Sequence, residues 1–493
     1  MSITPSSWID AWRDRSVLVV GEAMLDSYLE GSSTRLCQEA PVPVVAVSQR
    51  TNVPGGAANA AVNVTSLGGR AELLSVIGDD PEGDLVRDAL KDHGIASDGV
   101  LGDPARATLA KQRVVSDSQL VVRVDQGTTA PLGEDVEGRL IEHLRERWQG
   151  CDAVILSDYG YGILTARVVA AIERLQASSP RLVVADAKDL RLYRRVGVSA
   201  VKPNYAQVVA LLGLDALQGR TRADAVTAAA PRLLDVTGAQ IAAVTLDAEG
   251  AVVLERDQQA YRTFARPTSD SRAAGAGDTF ICALTLALAS GAHTPEAAEL
   301  ASRAAAIVVA KKTTASCSAA ELRDSFTVGA KYLDDESGLA QRVELLRRQG
   351  RRVVFTNGCF DIIHRGHITL LNRAKMLGDV LIVGVNSDAG VARLKGPSRP
   401  INTLEDRVQV LAALSSIDHI VAFDDDTPAR LIERIEPDVF VKGGDYTVEM
   451  LPEASIVEAQ GGELHILSFV EDRSTTAIIE RIRGAAVTGG SRD

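Results

Sequence analysis

Short apolar runs rich in β-branched residues alternate with amphipathic segments along most of this chain. Each run has the length of a buried strand, and helical patterns separate the runs. This alternation indicates an α/β fold, in which helices cover both faces of a mainly parallel sheet. The predicted strands are Val17–Gly21, Ala153–Ser157, Leu182–Asp186, Ala200–Lys202 and Ala242–Leu246, then Val353–Thr356, Val380–Val385, His419–Phe423 and Val439–Lys442.

Two stretches depart from this alternation, Val42–Asn52 and Thr108–Asp125. Both alternate apolar and polar residues without a helical segment between the runs, which is typical of half-buried strands. They predict a small antiparallel flap beside the main sheet. Such flaps often close over a ligand.

The strand pattern stops between Asp324 and Gln349, where Asp334–Gly338 is the most linker-like segment and a charged helix, Leu339–Gly350, follows. A chain of 493 residues also exceeds one comfortable hydrophobic core. We therefore predict a first domain over residues 1–325, a linker over 326–340 and a smaller second domain over 341–493.

Composition narrows the classes of partner. The chain is 46% hydrophobic and 24% charged, with a net charge of −12, which argues against nucleic acid or an anionic membrane as the main partner. The N-terminal segment lacks a signal-peptide core, and no apolar stretch approaches the ~18 residues of a membrane span. The cysteines are scattered without a C-x-x-C pair, which indicates reduced thiols and a cytoplasmic location.

Two of the seven histidines fall in one short stretch, His364-Arg365-Gly366-His367. A predicted strand precedes it and an apolar-periodic run, Ile368–Leu377, follows, so the histidines mark a turn and a helix start. A helix N-terminus suits phosphate, and imidazoles add directional donors there. The alternative is a pair of ordinary surface histidines, but the strand–turn–helix context favours a phosphate site.

A second turn, Gly275-Ala276-Gly277-Asp278, leads into the apolar helix Ile281–Ser290. Its glycines allow backbone N–H groups to surround an anion, and Asp278 is placed to take a proton from an attacking hydroxyl. The alternative is a tight turn with an ordinary helix cap. A P-loop is excluded because the chain contains no Gly-Lys pair, and a dinucleotide fingerprint lacks its third glycine.

Further segments around this turn carry a resemblance: Val17–Asp26, Pro54–Asn59, Glu39–Val44, Leu156–Tyr159 and Lys202–Asn204. Together with Gly275–Asp278 they resemble the ribokinase-like sugar kinases, and within these the heptose 7-phosphate kinases, over residues 15–320. The resemblance implies a doubly wound sheet, ATP and Mg²⁺ as cofactors, Asp278 as catalytic base, and Gly275, Ala276 and Gly277 as anion hole. It also implies sugar contacts from Asp26, Gly55, Gly56 and Asn59, and nucleotide contacts from Asn204, Thr245 and Gly250.

Three basic residues of the flap segment, Lys111, Arg113 and Arg123, are candidates for the substrate's own phosphate. The alternative is that they are solvated surface charges. The family's N-x-x-E, tied to magnesium, ends here in Gln207, which can bind a metal-held water but supplies no charge. Tyr161 and Arg303 also replace residues usual in the family. These departures leave open a kinase part that acts as a scaffold or binding module.

Residues from about 340 to 485 resemble the cytidylyltransferase-like nucleotidyltransferases, and most closely heptose 1-phosphate adenylyltransferase domains. The resemblance implies a smaller Rossmann-like α/β domain in which a sugar phosphate attacks the α-phosphorus of ATP in line. His364 and His367 would contact the triphosphate as catalytic residues, and Asp361 and Arg399 the sugar phosphate. The other implied nucleotide contacts are Asn357, Gly358, Phe360, Lys395, Lys442, Ser474, Thr475 and Thr476. The segments that carry the resemblance are Thr356–Asp361, His364–His367, Val385–Asp388, Leu394–Pro400, Val441–Tyr446 and Arg473–Thr476.

Taken together, the two resemblances imply a bifunctional enzyme of ADP-heptose synthesis. The first domain would phosphorylate a heptose 7-phosphate at its anomeric hydroxyl, and the second would transfer AMP to a heptose 1-phosphate. A separate phosphatase would remove the 7-phosphate between these steps, and the flap implies a homodimer. A different sugar or nucleotide, for instance a cytidylyl transfer, stays open because phosphate-binding residues do not report the base.

Overall fold

The computed structural model describes residues 5–116, 119–217, 219, 221–265, 275–311, 315–326, 331–333, 336–444 and 446–467. The predicted phosphate contacts Ser474, Thr475 and Thr476 lie outside these ranges, as does Asp334-Asp335 of the predicted linker. The chain divides into two compact units, Met1–Ser325 and Phe326–Asp493. In the part of the chain that the structure describes, no helix combines the length and apolar character needed to cross a membrane.

A nine-stranded sheet forms the centre of the first unit, in the order β13-β12-β11-β10-β9-β8-β1-β4-β5. The pairs from β11 to β5 are parallel, and β12 and β13 add an antiparallel edge. These strands are β1 Ser16–Gly21, β4 Arg70–Gly78, β5 Val100–Asp103, β8 Ala153–Asp158, β9 Leu182–Ala187, β10 Ala200–Val201, β11 Ile241–Thr245, β12 Ala251–Glu255 and β13 Tyr261–Thr263.

The central strands are buried on both faces, which explains their continuous apolar runs. All six residues of β1 and all six of β8 are buried. In the sheet, β1 lies between β4 and β8. The chain builds the sheet outward from β1 on the β4 side first and then on the β8 side, so the strand order reverses between β1 and β8. Ligands of open α/β sheets bind at the carboxyl ends of the strands beside such a reversal.

The flap is a separate four-stranded sheet in the order β3-β2-β6-β7. Its strands are β2 Ala23–Leu36, β3 Pro43–Gly56, β6 Ala110–Ser116 and β7 Gln119–Gln126. The predicted flap is therefore present, with one difference. Its outer pairs are antiparallel, but the central pair of β2 with β6 is parallel because β2 continues directly out of the main sheet.

The helices of the first unit surround the main sheet. Several begin at the side-chain caps that the sequence favours, for instance Asp80 before Pro81 and Thr165 before α5. They are α1 Pro5–Ala11, α2 Ala57–Ser66, α3 Pro81–Asp92, α4 Glu134–Trp148, α5 Ala166–Ser178, α6 Tyr205–Leu212, α7 Thr221–Ala228, α8 Ala230–Thr237, α9 Ala276–Ala289, α10 Thr294–Val309 and α11 Ala319–Asp324.

The second unit contains a six-stranded parallel sheet in the order β14-β17-β16-β15-β18-β19. Its strand order reverses between β15 and β18. Alternate residues of β15 enter two hydrophobic clusters, Val354 on one face and Val353 and Phe355 on the other. The strands are β14 Tyr332–Leu333, β15 Val353–Gly358, β16 Val380–Asn386, β17 His419–Phe423, β18 Val439–Gly443 and β19 Glu463–Leu467.

Helices cover this second sheet and connect its parallel strands, as in a Rossmann-like domain. The charged helix predicted over Leu339–Gly350 is α12 Glu336–Arg348, so it starts a few residues earlier. The others are α13 Arg365–Met376, α14 Asp388–Lys395, α15 Leu404–Ala413, α16 Ala429–Ile435 and α17 Ala454–Ala459. The predicted fold class is confirmed in both units.

Candidate active sites

The glycine turn of the first unit ends at the start of α9. Gly275 is the residue before the helix and has φ 98°, a left-handed conformation that favours glycine. Ala276, Gly277 and Asp278 form the first helical turn, whose backbone N–H groups have no partner within the helix. The turn therefore presents N–H donors and the positive end of the helix dipole beside the Asp278 carboxyl.

The Asp278 carboxyl is held by hydrogen bonds from opposite sides. The amide of Asn59 donates to Oδ2 at 2.5 Å, and the phenol of Tyr159 donates to Oδ1 at 3.4 Å. The pKa of Asp278 is raised to about 6, chiefly by burial and also by nearby Asp186, while Asn59, Lys202 and Tyr159 act to lower it. A carboxyl with a pKa near 6 is ionised at neutral pH and is a stronger proton acceptor than an ordinary aspartate.

The orientation of Asn59 depends on a second asparagine one turn later in α2. The Asn63 amide donates to the backbone and side-chain oxygens of Asn59, at 2.9 and 3.2 Å. Asn63 in turn accepts a 2.5 Å bond from the Thr279 hydroxyl in α9. Because the Asn59 oxygen is occupied in this way, its NH₂ group points to Asp278.

Asp26 and the glycine pair Gly55-Gly56 meet where β2 and β3 pair. A Cβ on Gly55 would lie 2.8 Å from Oδ2 of Asp26, and one on Gly56 would lie 2.3 Å from the Glu22 carbonyl oxygen. Position 56 therefore requires glycine for the close approach of β3 to the chain at Glu22, and a side chain at 55 would displace the Asp26 carboxylate. Oδ1 of Asp26 forms a buried ion pair with Arg113 at 2.7 Å.

Of the three basic flap residues, two lie close to this group. Lys111 is directly opposite Asp26 in the β2–β6 pairing, and Arg113 pairs with Asp26 and lies over the Tyr28 ring. Arg123 differs, because it is exposed and pairs with Asp125 on its own strand. Lys111 and Arg113 are therefore better placed than Arg123 for a substrate phosphate.

The predicted nucleotide contacts lie at the carboxyl ends of β10 and β11. Asn204 and Thr245 form an isolated parallel bridge, and the Thr245 N–H donates to the Pro203 carbonyl. Gly250 has φ 92°, and a Cβ there would lie 2.2 Å from the Thr263 carbonyl oxygen. The structure thus brings Asn204 and Thr245 together and explains why position 250 is a glycine.

A buried lysine lies beneath the glycine turn. Nζ of Lys202 is 2.9 Å from Oδ2 of Asp186, and a Cβ on Gly277 would lie 3.3 Å from the same Nζ. This ammonium adds positive charge beside the N–H groups of the turn. It is an interaction that the sequence analysis did not assign.

Gln207, predicted near magnesium, is part of a helix cap. Its Oε1 accepts from the Asn204 N–H at 2.8 Å and its Nε2 donates to the Ala187 carbonyl at 3.3 Å. Among the described residues there is no group of three or more His, Cys, Asp or Glu side chains that could hold a metal. These residues do not fit a magnesium ion held by the protein alone.

The two histidines of the second unit lie at the start of α13, as the sequence predicts. His364 is the N-cap, and its Nδ1 accepts a 3.1 Å bond from the Gly366 N–H. The two imidazole centroids are 4.1 Å apart. Burial, helped by the neighbouring His364 and Lys395, lowers the pKa of His367 to about 4, so His367 is neutral at physiological pH.

Phe360 and Gly358 shape the loop between β15 and these histidines. Phe360 has φ 47°, and its buried ring lies 5.5 Å from the His367 ring, centroid to centroid. A Cβ on Gly358 would come within 3.2 Å of the Phe360 ring. A glycine at 358 therefore allows Phe360 to pack against His367.

Asn357 and Lys442 meet across the reversal of strand order, at the ends of β15 and β18. The Lys442 ammonium donates a 2.8 Å hydrogen bond to Oδ1 of Asn357, and burial lowers the pKa of this lysine. Lys395 ends α14 and lies close enough to His367 to lower its pKa. Lys395 thus lies near His367, while Asn357 and Lys442 bind each other at the carboxyl edge of the sheet.

Asp361 and Arg399, predicted on the sugar phosphate side, bind each other. The Asp361 carboxylate accepts from Nε of Arg399 and from the N–H groups of Ile401 and Asn402. Asp361 is buried. Its direct partners are therefore the loop 399–402, which it holds beside the histidine turn.

Arg407 is a residue of this site that the sequence analysis missed. Its guanidinium is fully buried and donates to the Cys359 carbonyl at 2.6 Å and to Asp388 at 2.7 Å. It joins the histidine loop to the start of α14. An arginine in an amphipathic helix is normally expected on its exposed face. The burial of Arg407 therefore could not be predicted from the sequence. Asn63 was also missed, because its contacts with Asn59 and with Thr279 of α9 appear only in the structure.

Comparison with known proteins extends this picture. The model of the pfkB family carbohydrate kinases matches residues 14–321, and the cytidylyltransferase-like model matches residues 355–481. A bifunctional protein HldE of Geobacter metallireducens is 40% identical over 480 residues, covering 95% of this chain and 96% of that protein. One from Pseudomonas aeruginosa is 41% identical over 475 residues, covering 95% and 97%.

Solved structures agree on the fold of the first unit. Phosphofructokinase-2 from Escherichia coli in complex with substrates and products aligns with a TM-score of 0.53 and 21% identity, covering 63% of this chain and 97% of that one. Arabidopsis thaliana ribokinase complexed with ribose and ATP aligns with a TM-score of 0.50 and 17% identity, covering 63% and 98%.

Proposed function

The chain belongs to the pfkB carbohydrate kinase family and, over nearly its whole length, to the bifunctional HldE proteins, and we propose from this premise that it catalyses two steps of ADP-heptose synthesis. The first unit phosphorylates heptose 7-phosphate at the anomeric hydroxyl. The second joins heptose 1-phosphate to AMP from ATP and releases pyrophosphate. The observation that carries the kinase step is the Asp278 carboxyl, oriented by Asn59 and Tyr159 at the N-terminus of α9.

In the kinase step, Asp278 accepts the proton of the anomeric hydroxyl as its oxygen bonds to the γ-phosphorus. The bond from that phosphorus to the bridging oxygen breaks, and ADP leaves. The N–H groups of Gly275, Ala276 and Gly277, with the Lys202 ammonium nearby, stabilise the negative charge on the transferring phosphoryl group. Positioning and electrostatics therefore account for the catalysis.

The sugar phosphate is recognised from the flap. Asp26 and Asn59 accept and donate hydrogen bonds to sugar hydroxyls, while Lys111 and Arg113 bind the 7-phosphate. Paired basic donors favour a phosphate over a neutral group. Asp26 holds the Arg113 guanidinium at 2.7 Å, which fixes its direction before the substrate arrives.

In the second step, an oxygen of the sugar phosphate attacks the α-phosphorus of ATP in line. The neutral His367 and the helix-capping His364 donate to the triphosphate, and Lys395 and Lys442 neutralise its charge. The predicted contacts from Ser474, Thr475 and Thr476 stay predictions, as they lie outside the described residues. Asp361 and Arg399 position the loop beside the sugar phosphate.

Magnesium enters the kinase as part of its ATP substrate. The described side chains do not form a metal-binding cluster, and Gln207 is engaged in the cap of α6. Gln207 supports a metal-held water at most. The chemistry assigned to the protein is therefore that of Asp278, the glycine turn and the basic groups.

The remaining parts of the proposal concern assembly and pathway. A separate phosphatase removes the 7-phosphate, and the enzyme acts in the cytoplasm. A homodimer is supported by the flap, where Leu120, Val121, Val122 and Val124 of β7 are 60%, 39%, 48% and 47% exposed. Large apolar residues exposed together on one strand favour burial against a partner. Light scattering on the purified chain measures its oligomeric state directly.

The proposal is tested with the purified full chain and ATP as donor. Heptose 7-phosphate should yield ADP and a 1,7-bisphosphate, identified by ³¹P NMR. Heptose 1-phosphate should yield pyrophosphate and ADP-heptose. Fructose 6-phosphate replaces the heptose in one control, and CTP and GTP replace ATP in another. A higher kcat/KM for fructose 6-phosphate or for CTP would contradict the assigned sugar or nucleotide.

A further inference from the structure

A loop at the reversal of strand order in the first sheet is fixed by a buried carboxylate. Glu22 follows β1, is 0% exposed, and accepts from the backbone N–H groups of Tyr159, Tyr161 and Ile163 at 2.7, 3.2 and 3.3 Å. A carboxylate that accepts three backbone donors fixes the path of the loop. The loop thus has one conformation from which the Tyr159 and Tyr161 side chains project.

Tyr159 reaches the catalytic carboxyl. Its phenol oxygen lies 3.4 Å from Oδ1 of Asp278, on the side opposite Asn59. The charge of Asp278 and burial raise the pKa of Tyr159 well above its ordinary value, so the phenol keeps its proton and donates. Hydrogen bonds of a catalytic base are often long before substrate binds and tighten afterwards.

The Tyr159 ring also contacts a cation of the flap, the Lys111 ammonium. Tyr159 and Tyr161 stack with their centroids 6.3 Å apart and an interplanar angle of 20°. The Lys111 ammonium lies 5.4 Å from the Tyr159 centroid and 5.8 Å from that of Tyr161. A lysine held over aromatic faces has fewer rotamers to lose when it binds an anion.

We propose that Tyr159 is a positioning residue with two separable roles in the kinase: its hydroxyl orients Asp278, and its ring, with Tyr161, holds Lys111 toward the phosphate of the substrate. The inference deepens the proposed function and rests on it. One side chain thereby links recognition of a phosphorylated sugar to the base that activates its hydroxyl.

Substitutions of Tyr159 separate the two roles. Tyr159→Phe removes only the hydroxyl, so kcat of the kinase should fall roughly tenfold, with KM for heptose 7-phosphate unchanged. The acid limb of its pH profile should move to higher pH, because Asp278 loses a donor. Tyr159→Leu also removes the ring, so KM should rise in addition, by roughly tenfold. Tyr161→Leu should raise KM without changing kcat.

The pH shift must be separated from other charges near Asp278. Asp186, Lys202 and Cys282 lie near Asp278. Asp26 lies near Tyr159, as does Glu22, whose pKa burial raises to about 7; all stay in place in the Tyr159 variants. The matched control is Tyr261→Phe, which also breaks a phenol–carboxylate hydrogen bond, to Glu299 at 2.6 Å. It should leave kcat, KM and the pH profile as in the wild type. Pyrophosphate release by the second unit serves as an internal standard for the amount of chain, and thermal unfolding of each variant reports folding of the first unit.

A double-mutant cycle tests the link to Lys111. Lys111→Met should raise KM, and Lys111→Met with Tyr159→Leu should raise it no further, because the ring acts through the lysine. Calorimetry with inorganic phosphate should show the same pattern in Kd, and this arm does not need turnover. An unchanged kcat and acid limb in Tyr159→Phe, or additive effects in the cycle, would overturn the inference. A wild-type chain that fails to phosphorylate heptose 7-phosphate would instead contradict the proposed function, and the calorimetric cycle would still decide the inference.

Discussion

The side-chain amide of Asn59, in α2, donates a 2.5 Å hydrogen bond to Oδ2 of Asp278 in α9. The two residues are 219 positions apart in the chain and meet only because both helices begin at the same edge of the sheet. Asn59 holds Oδ2 in this way, and the Tyr159 phenol donates to Oδ1, so the orientation of the carboxyl is fixed. Asn59 therefore controls both the direction and the basicity of the proposed base.

Asn59→Ala should lower kinase kcat/KM at pH 7 by roughly tenfold to a hundredfold, the range expected for a lost hydrogen bond to a charged group. The pKa of Asp278 should rise, because a donor that favours the ionised form is removed. Measuring the rate from pH 5 to pH 9 shows both effects. A variant with wild-type kinetics across this range would mean that Asn59 does not hold the base.

The pH dependence of the kinase follows from the raised pKa of Asp278, about 6. The base form is lost as the pH falls through 6, so activity should fall below that value. Folding stability has the opposite dependence on pH. Because the pKa of Asp278 in the folded chain exceeds its ordinary value, ionisation of this carboxyl lowers the folding stability as the pH rises through 6. Asp278→Asn should abolish phosphorylation and raise Tm by about 2 °C at pH 8. The gain should shrink toward pH 4 in calorimetric scans.

Arg407 supplies a matched pair of variants in the second unit. Arg407→Leu leaves the Cys359 carbonyl and Asp388 without their donor, at a cost of about 2 kcal/mol in unfolding free energy. Pyrophosphate release should fall at least about tenfold, because the histidine loop loses its anchor. Asp388→Asn keeps the other bond and should have a small effect. If Asp388→Asn reduced pyrophosphate release as much as Arg407→Leu does, the ion pair with Asp388, and not the bond to Cys359, would be the important contact.

Gln207→Glu keeps the helix cap of α6, since Glu is also favoured at that position, and adds a carboxylate. The magnesium concentration for half-maximal kinase rate should fall several-fold, because carboxylates bind this ion. Gln176→Glu, at a half-buried glutamine hydrogen-bonded to the backbone of Arg181, is the control. An unchanged magnesium requirement would exclude Gln207 from the vicinity of the metal-bound ATP.

The fold was predictable because the central strands are buried on both faces and appear as uninterrupted apolar runs. His419–Phe423 was predicted with the observed bounds, and other strands within one or two residues. The flap was harder. Its parallel β2–β6 pairing depends on β2 leaving the main sheet, and a period-two pattern does not state which strands pair.

The site was predictable where a residue sits in a glycine turn or at a helix start, as Asp278 and His364 do. Residues that act through tertiary contacts could not be predicted from the sequence. Glu22 and Arg407 are charged side chains whose partners lie far away in sequence. Their burial, which indicates a structural role, is seen only in the structure. The N–H groups of Ile401 and Asn402 donate to the Asp361 carboxylate, which the sequence did not indicate, and the substrate contact of Asp361 stays a prediction.

The central claim is that one chain holds two independent active sites, and His364→Ala with Asp278→Asn tests it most directly. Both reactions are measured on each full-length variant, as ADP formed from heptose 7-phosphate and pyrophosphate released with heptose 1-phosphate. His364→Ala should abolish pyrophosphate release and leave sugar phosphorylation intact, and Asp278→Asn should do the reverse. Loss of both activities in either folded variant would contradict two independent sites.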